Sequence, residues 1–243
     1  MKCLIYCIFQ NKGSQPENLP RGIDGGTVSL LSEGELAAAY STVPNSLTMP
    51  TLDQAKAYAR VVDALHRTCT LLPMRYGSVL ETEDQVAELL RTRRAEFLAR
   101  LRELDGSVEM GIRIMLTKEQ QQARSCESPC SRSAPCKGAA YLQARQRHYA
   151  EVDWYAQAAC AQAERYKAAF DGLFIKCRME SSLLTYSTAG AAFLSLYFLV
   201  KRDCQEPFRR TFRELSHRES AKILLSGPWP PYNFVEPLHE KGR

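Results

Sequence analysis

The period of the hydrophobic pattern changes along this chain, and that change constrains the fold more than any other feature. From Ser107 to Leu116 apolar residues alternate, with Val108, Met110, Ile112, Ile114 and Leu116 on one side of an extended segment. A period of two predicts a half-buried strand. From Leu52 the spacing is threes and fours instead, through Ala55, Ala59, Val62, Leu65, Cys69 and Leu72. That stripe predicts an amphipathic helix, which Pro73 stops. Thr82 precedes a second helix whose first turn carries Glu83 and Asp84, where negative charge suits the dipole. Its apolar face is Val86, Leu90, Phe97, Leu101 and Leu104, and Asp105-Gly106 ends it.

Further strands are expected at Cys3–Phe9, Thr27–Leu31, Leu36–Val43 and Met74–Leu80. The order β-β-β-α-β-α-β over residues 1–117 predicts an elaborated ferredoxin-like α+β sandwich, with parallel strand pairs and two helices on one sheet face. Residues 118–138 are rich in Cys, Ser and Pro and read as a linker loop. Residues 139–243 predict a second α+β domain. A long helix opens it from about Ala139 to Phe170, with Leu142, Tyr149, Val152, Ala156, Ala159, Ala163, Tyr166 and Phe170 along one stripe. Strands follow near Ile175–Tyr186 and Ala191–Val200, then a helix begun by Pro207 with Phe208, Phe212 and Leu215 on one side. A last strand, Ala221–Leu225, leads into a tail of prolines and aromatics.

With 243 residues, 45% of them hydrophobic, the chain can bury a core in each of two domains without covalent staples. The net charge is +5, but Arg91, Arg93, Arg94, Arg100 and Arg102 alternate with Glu88, Glu96 and Glu103. That reads as a solvated helix face with i,i+4 pairs rather than a basic patch. The longest apolar run, Ala189–Val200, is too short to span a bilayer as a helix, and no segment reads as a secretory signal. A soluble cytoplasmic protein is expected. There are nine cysteines, and without a secretory signal they do not predict a disulfide framework. Cys3, Cys7, Cys69, Cys160, Cys177 and Cys204 read as small buried hydrophobes. Cys126, Cys130 and Cys136 lack the paired spacing of structural zinc. His66 reads as a half-exposed structural histidine. No nucleophile, phosphate-loop or metalloprotease motif is present, and Gly22-Ile23-Asp24-Gly25-Gly26 precedes a strand rather than a helix. No catalytic, cofactor or metal residue is assigned.

Three strings are distinctive: Leu71-Leu72-Pro73-Met74-Arg75-Tyr76-Gly77-Ser78-Val79-Leu80, Val108-Glu109-Met110-Gly111, and Leu225-Ser226-Gly227-Pro228-Trp229-Pro230-Pro231-Tyr232-Asn233-Phe234-Val235. With Gly138-Ala139-Ala140-Tyr141-Leu142, their order and spacing resemble the gas vesicle GvpF/GvpL family from Lys2 to Val235, the F-type member being favoured. The cysteine loop is not part of that pattern. The resemblance implies a non-enzymatic minor shell component or assembly factor. It would act with the small hydrophobic shell protein GvpA and other accessory proteins, in gas vesicles within the cytoplasm, with no cofactor, nucleic acid or membrane. The alternative reading is a nucleic-acid-binding module on a ferredoxin-like sheet, although no basic-aromatic string lies on a central strand.

Partner-binding or structural roles fall to Arg75, Tyr76, Glu109, Trp229, Tyr232 and Phe234. Arg75 and Glu109 sit in apolar strands, and a buried charge needs a partner, so the two are expected to pair or to cap neighbouring backbone. Pro228, Pro230 and Pro231 keep the tail out of a central ladder and are expected to lay Trp229, Tyr232 and Phe234 into a groove of the protein's own body.

Overall fold

The computed structural model describes residues 1–11, 13, 18–44, 49–116, 145, 149, 156–181, 192–219 and 222–235. Cys126, Cys130 and Cys136, the Gly138–Leu142 string and most of the first half of the expected long helix lie outside them. Two compact units make up the chain: residues 1–109 with 228–243, and residues 110–227. This differs from a sequential division at the linker. The chain changes unit inside one strand and returns at the end of another, so the proline-rich tail belongs with the N-terminal half.

The first unit is organised on β1 (Lys2–Gln10). Its neighbours are β2 (Ser29–Glu33), β3 (Leu36–Val43), β4 (Leu71–Pro73) and β5 (Val79–Leu80), in the order β2-β3-β1-β4 with β5 also on β1. All four registered pairings are antiparallel, not the parallel pairs expected. Residues 3–9 of β1 are buried without a break, so both faces of the sheet are covered. Helix α1 (Leu52–Thr68) lays Tyr58, Val61, Val62 and Leu65 against Leu4, Tyr6, Cys7, Phe9, Ala37 and Ala39. Thr51 and Gln54 close its N-terminus as a capping box. On the other face Tyr40, opposite Ile5, donates its hydroxyl to Glu83 at 2.6 Å in the first turn of α2 (Glu83–Thr92). The helices therefore divide between two faces, where one was expected. A continuous apolar strand cannot announce that difference, because its pattern is the same buried run either way.

Two further boundaries differ from expectation. The second helix is broken at Arg93 into α2 and α3 (Arg94–Glu103), with no proline or glycine to mark the break. The first helix stops at Thr68, and Leu72 is a strand residue although it fits the helix's stripe. The arginines of this region are paired as the sequence suggests, but through i,i+3 and cross-element contacts. Arg91 meets Glu33 at 3.2 Å and Glu88 at 2.5 Å, Arg94 meets Glu35, and Arg100 meets Glu103 at 3.6 Å.

A bulge in β1 shapes everything around it. The register to β3 shifts between Ile5 and Cys7, so Tyr6 and Cys7 both reach the α1 side. Tyr58 places its hydroxyl among the carbonyls freed there, 2.8 Å from Met74 O, 3.0 Å from Ile5 O and 3.2 Å from Tyr6 O. Tyr6 anchors the following loop. Ile23 N donates to its hydroxyl at 3.1 Å, the hydroxyl donates to Ser41 Oγ at 3.1 Å, and Ser41 donates to Thr27 O at 2.8 Å. Gly22 lies so close that a Cβ there would fall 2.2 Å from the Tyr6 oxygen.

The second unit contains most of β6 (Ser107–Leu116), a helix α4 over 156–169, β7 (Lys176–Ser181), β8 (Ala192–Lys201), α5 (Gln205–Arg218) and most of β9 (Ile223–Trp229). Its sheet order is β7-β8-β6-β9. The α+β class is as expected, but the ferredoxin-like β-α-β-β-α-β order belongs to this second unit. The strand at 107–116 opens it instead of closing the first sheet. β9 runs antiparallel to β6, since Met115 N donates to Lys222 O while Ser226 lies against Gly111. Phe170 stacks on Phe208 at 4.2 Å and Phe198 meets Phe208 edge-on at 5.3 Å, between α4, β8 and α5. Arg165 and Glu219 form an ion pair, and Arg209 donates to Gly227 O at 3.0 Å. Cys3 and Cys7 are buried as expected, whereas Cys160 is exposed. His66 is buried rather than half-exposed.

Removing the Tyr58 hydroxyl takes a donor away from this group of buried carbonyls, so Tyr58→Phe is expected to cost about 1–3 kcal/mol of unfolding free energy. Gly22→Ala drives a methyl into the Tyr6–Ser41 pair, and should also lower stability, by about 1–3 kcal/mol. Urea unfolding checks both: the midpoint falls at unchanged slope.

Candidate functional site

The distinctive strings meet in the first unit. β4 and β5 both pair with β1, but at different registers: β4 with Cys7–Phe9 and β5 with Cys3–Leu4. The chain between them loops out instead of running on as the single strand expected over Met74–Leu80. Its neck is pinned by Met74 N donating to Tyr6 O and Ile5 N donating to Ser78 O, both at 2.9 Å. At the tip Ser78 N donates to Arg75 O at 3.1 Å, and Gly77 has φ +91°, which a side chain would strain. Tyr76 turns back and meets Tyr58 edge-on at 5.5 Å.

The tail enters through Glu109. This residue is 3% exposed, yet its carboxylate is satisfied twice. Asn233 donates its backbone N–H to one oxygen at 2.8 Å and its side-chain amide to the other at 2.7 Å. Burial lifts the Glu109 carboxyl above the ordinary range, and the two bonds from Asn233 pull it part of the way back. The expected Arg75–Glu109 pair does not form: Glu109 is taken up by Asn233, and Arg75 is exposed. An amide and a main-chain N–H supply two donors in a fixed geometry without burying a second charge. Sequence reasoning passed over Asn233. The only signal was its place three residues after Pro230, where a proline-set turn presents both groups.

Around this clamp Tyr232–Phe234 forms a short 3-10 turn, with Phe234 buried and Tyr232 half-buried against the α1 side of the core. Pro230 and Pro231 are buried too. Trp229 is not in the expected groove but 46% exposed. It ends β9, an edge strand, which is where prolines are tolerated in a sheet. A cleft of about 260 Å³ lies where the strings converge. The 72–78 loop, Glu96, Phe97 and Arg100 of α3, and Tyr232 and Val235 of the tail line it. Of the six residues singled out, Arg75, Tyr76 and Tyr232 line this cleft, Glu109 and Phe234 hold the tail in place, and Trp229 faces solvent. Among the described residues no group of three or more His, Cys, Asp or Glu could hold a metal ion.

A family model described as "Gas vesicle synthesis protein GvpL/GvpF" matches residues 2–236. The chain belongs to this family. GvpL/GvpF proteins are gas vesicle structural and assembly proteins, not a known enzyme family. Among curated relatives, gas vesicle protein L of a Streptomyces species is 27% identical over 94% of this chain and 91% of its own length. Gas vesicle protein F of the same organism is 28% identical over 86% and 88%. Identity does not separate the two types. The crystal structure of GvpF from Anabaena superposes with TM-score 0.78 at 16% identity, covering 100% of this chain and 99% of that one. That of GvpF from Microcystis aeruginosa gives 0.70 at 15%, covering 96% and 98%. The GvpL/GvpF fold is thus shared across the length of the chain.

The Glu109 clamp predicts a pH dependence. A carboxyl raised in the folded state contributes fully below its unfolded value, and its contribution declines as pH rises through the folded value. Glu109→Gln removes that titration while keeping the shape. The stability of wild type relative to Glu109→Gln should therefore fall as pH rises from the ordinary glutamate range through the raised folded-state titration, measured by denaturant titration. Parallel stability curves would mean that Glu109 carries no such burden.

Proposed function

We propose that this protein is a minor structural or assembly component of gas vesicles that binds the hydrophobic shell protein GvpA through the first unit. Family membership supports work in gas vesicle formation, and the exposure of Trp229 supports direct binding. The tail after Trp229 is anchored: Pro230, Pro231 and Phe234 are buried, and Asn233 is clamped by Glu109. An indole left 46% exposed on such a fixed segment presents apolar surface to a partner. Three prolines around it keep the backbone ordered before a partner arrives, which lowers the entropy lost on docking. Tryptophans in this setting are favoured anchors of protein interfaces.

In this reading the first unit covers apolar surface of GvpA and thereby shields it from self-association or holds it at the growing shell. Other accessory proteins of the vesicle are further partners of the same kind. The place of work is the gas vesicle. Among the described residues no helix is long and apolar enough to cross a membrane.

Co-expression of this protein with GvpA alone, followed by affinity capture, tests the reading. Wild type is expected to retain GvpA. Trp229→Ala should leave unfolding free energy within about 0.5 kcal/mol. The same variant should weaken GvpA binding by about tenfold or more. A variant that loses stability while keeping affinity would return Trp229 to a structural role.

A further inference from the structure

We infer that the cleft between the 72–78 loop, α3 and the tail is a docking site for a protein segment presenting a carboxylate beside an apolar side chain. The inference deepens the GvpA reading, on which it rests only for the identity of the partner.

Charge is the first argument. Glu96 is the one carboxylate among the cleft's lining residues, and Arg93 already holds it with two bonds, at 2.8 and 2.5 Å. Arg93 in turn lies over the Phe97 ring, 5.3 Å from its centre. Arg100 leans to Glu103 at 3.6 Å. Among the lining residues Arg75 and Arg100 stand against the single carboxylate Glu96, which leaves one positive charge on the lining. It is set against the apolar surfaces of Met74, Phe97, Tyr232 and Val235. A guanidinium beside apolar walls favours a planar carboxylate that it can bind with two hydrogen bonds.

Preorganisation is the second argument. Arg75 stands at the corner of a turn whose neck is bonded to Ile5 and Tyr6 of β1 and whose tip is closed by Ser78. Its backbone does not have to be ordered on binding. Size is the third. At about 260 Å³ the cleft is below the range of about 300–1,000 Å³ typical of sites for drug-sized ligands and cofactors. It suits one or two side chains of a docked chain. Tyr232 and Val235 complete it from the far end of the sequence, so Glu109 is a positioning residue for the site.

The test uses the full-length protein and two blocked peptides, acetyl-Leu-Leu-Asp-Ile-Leu-amide and its Asp→Asn counterpart. Methyl NMR of Met74 and Val235 reads the cleft directly. The acidic peptide is expected to shift both methyls and to bind about tenfold more tightly than the amide peptide. Arg75→Glu should abolish that preference without moving the melting temperature, and Arg75→Lys should retain part of it. Equal binding of the two peptides, shifts confined to other residues, or no binding of either up to about 5 mM would overturn the inference. GvpA capture on the same variants separates this idea from the broader one. GvpA held equally by wild type and Arg75→Glu places its contact elsewhere and overturns GvpA as the cleft's occupant, while the broader GvpA reading stands. Selective binding of the acidic peptide without GvpA capture supports the cleft and removes GvpA as its occupant.

Discussion

A one-residue bulge in a fully buried strand governs the first unit. β1 is covered on both faces, so a register shift inside it cannot be relaxed into solvent, and the carbonyls it frees must be met by protein donors. Tyr58 meets them from α1, and the amide of Met74 meets one of them from the chain that follows β4. The bulge therefore does two things at once. It turns Tyr6 toward the loop at residues 22–27 and so fixes that loop. It also splits the neighbouring strand into β4 and β5, leaving Arg75 exposed on a short turn with a rigid neck while Tyr76 folds back onto Tyr58.

The second constraint is the clamp between Glu109 and Asn233. A carboxylate in an apolar strand is costly unless every lone pair is used, and a single amide residue uses both oxygens here. This joins positions 124 residues apart in sequence. Because the intervening residues 110–227 form a unit of their own, the clamp makes the N-terminal unit discontinuous. The tail is then a structural member of that unit, not an appendage of the second. Its prolines serve the same end. They end the sheet ladder at an edge, fix the path of the chain, and leave Trp229 outside.

A binding role for this arrangement has a consistent physical basis. The GvpL/GvpF family works on gas vesicles, and the partner proposed above, the hydrophobic shell protein GvpA, would present apolar surface to this unit. A partner for such a protein needs apolar contact that is already ordered, with enough charge to limit indiscriminate sticking. The loop, the clamped tail and the paired arginines of α2 and α3 provide that combination on one unit.

Much of this was legible in the residues alone. The period of two at Ser107–Leu116, the helical stripes from Leu52 and after Thr82, and the α-β-β-α-β order of the second half are local patterns, and local patterns report local structure. The three strings were legible as well, because their unusual composition is visible without coordinates. What the residues could not report is which distant groups share a site. Leu72 fits a helical stripe and became a strand residue, because β1 offered an edge to pair with. Arg75 and Glu109 looked like natural partners because opposite charges attract. Tertiary structure gave Glu109 to Asn233 instead, since two neutral donors satisfy a buried carboxylate without desolvating a guanidinium. Trp229 looked like a core anchor and is exposed, since burial depends on the surfaces that fold brings near. Sequence by itself determined the elements, the class and the family. Only the folded chain decided how far-apart residues meet, because each meeting is a competition among partners that are not neighbours along the chain.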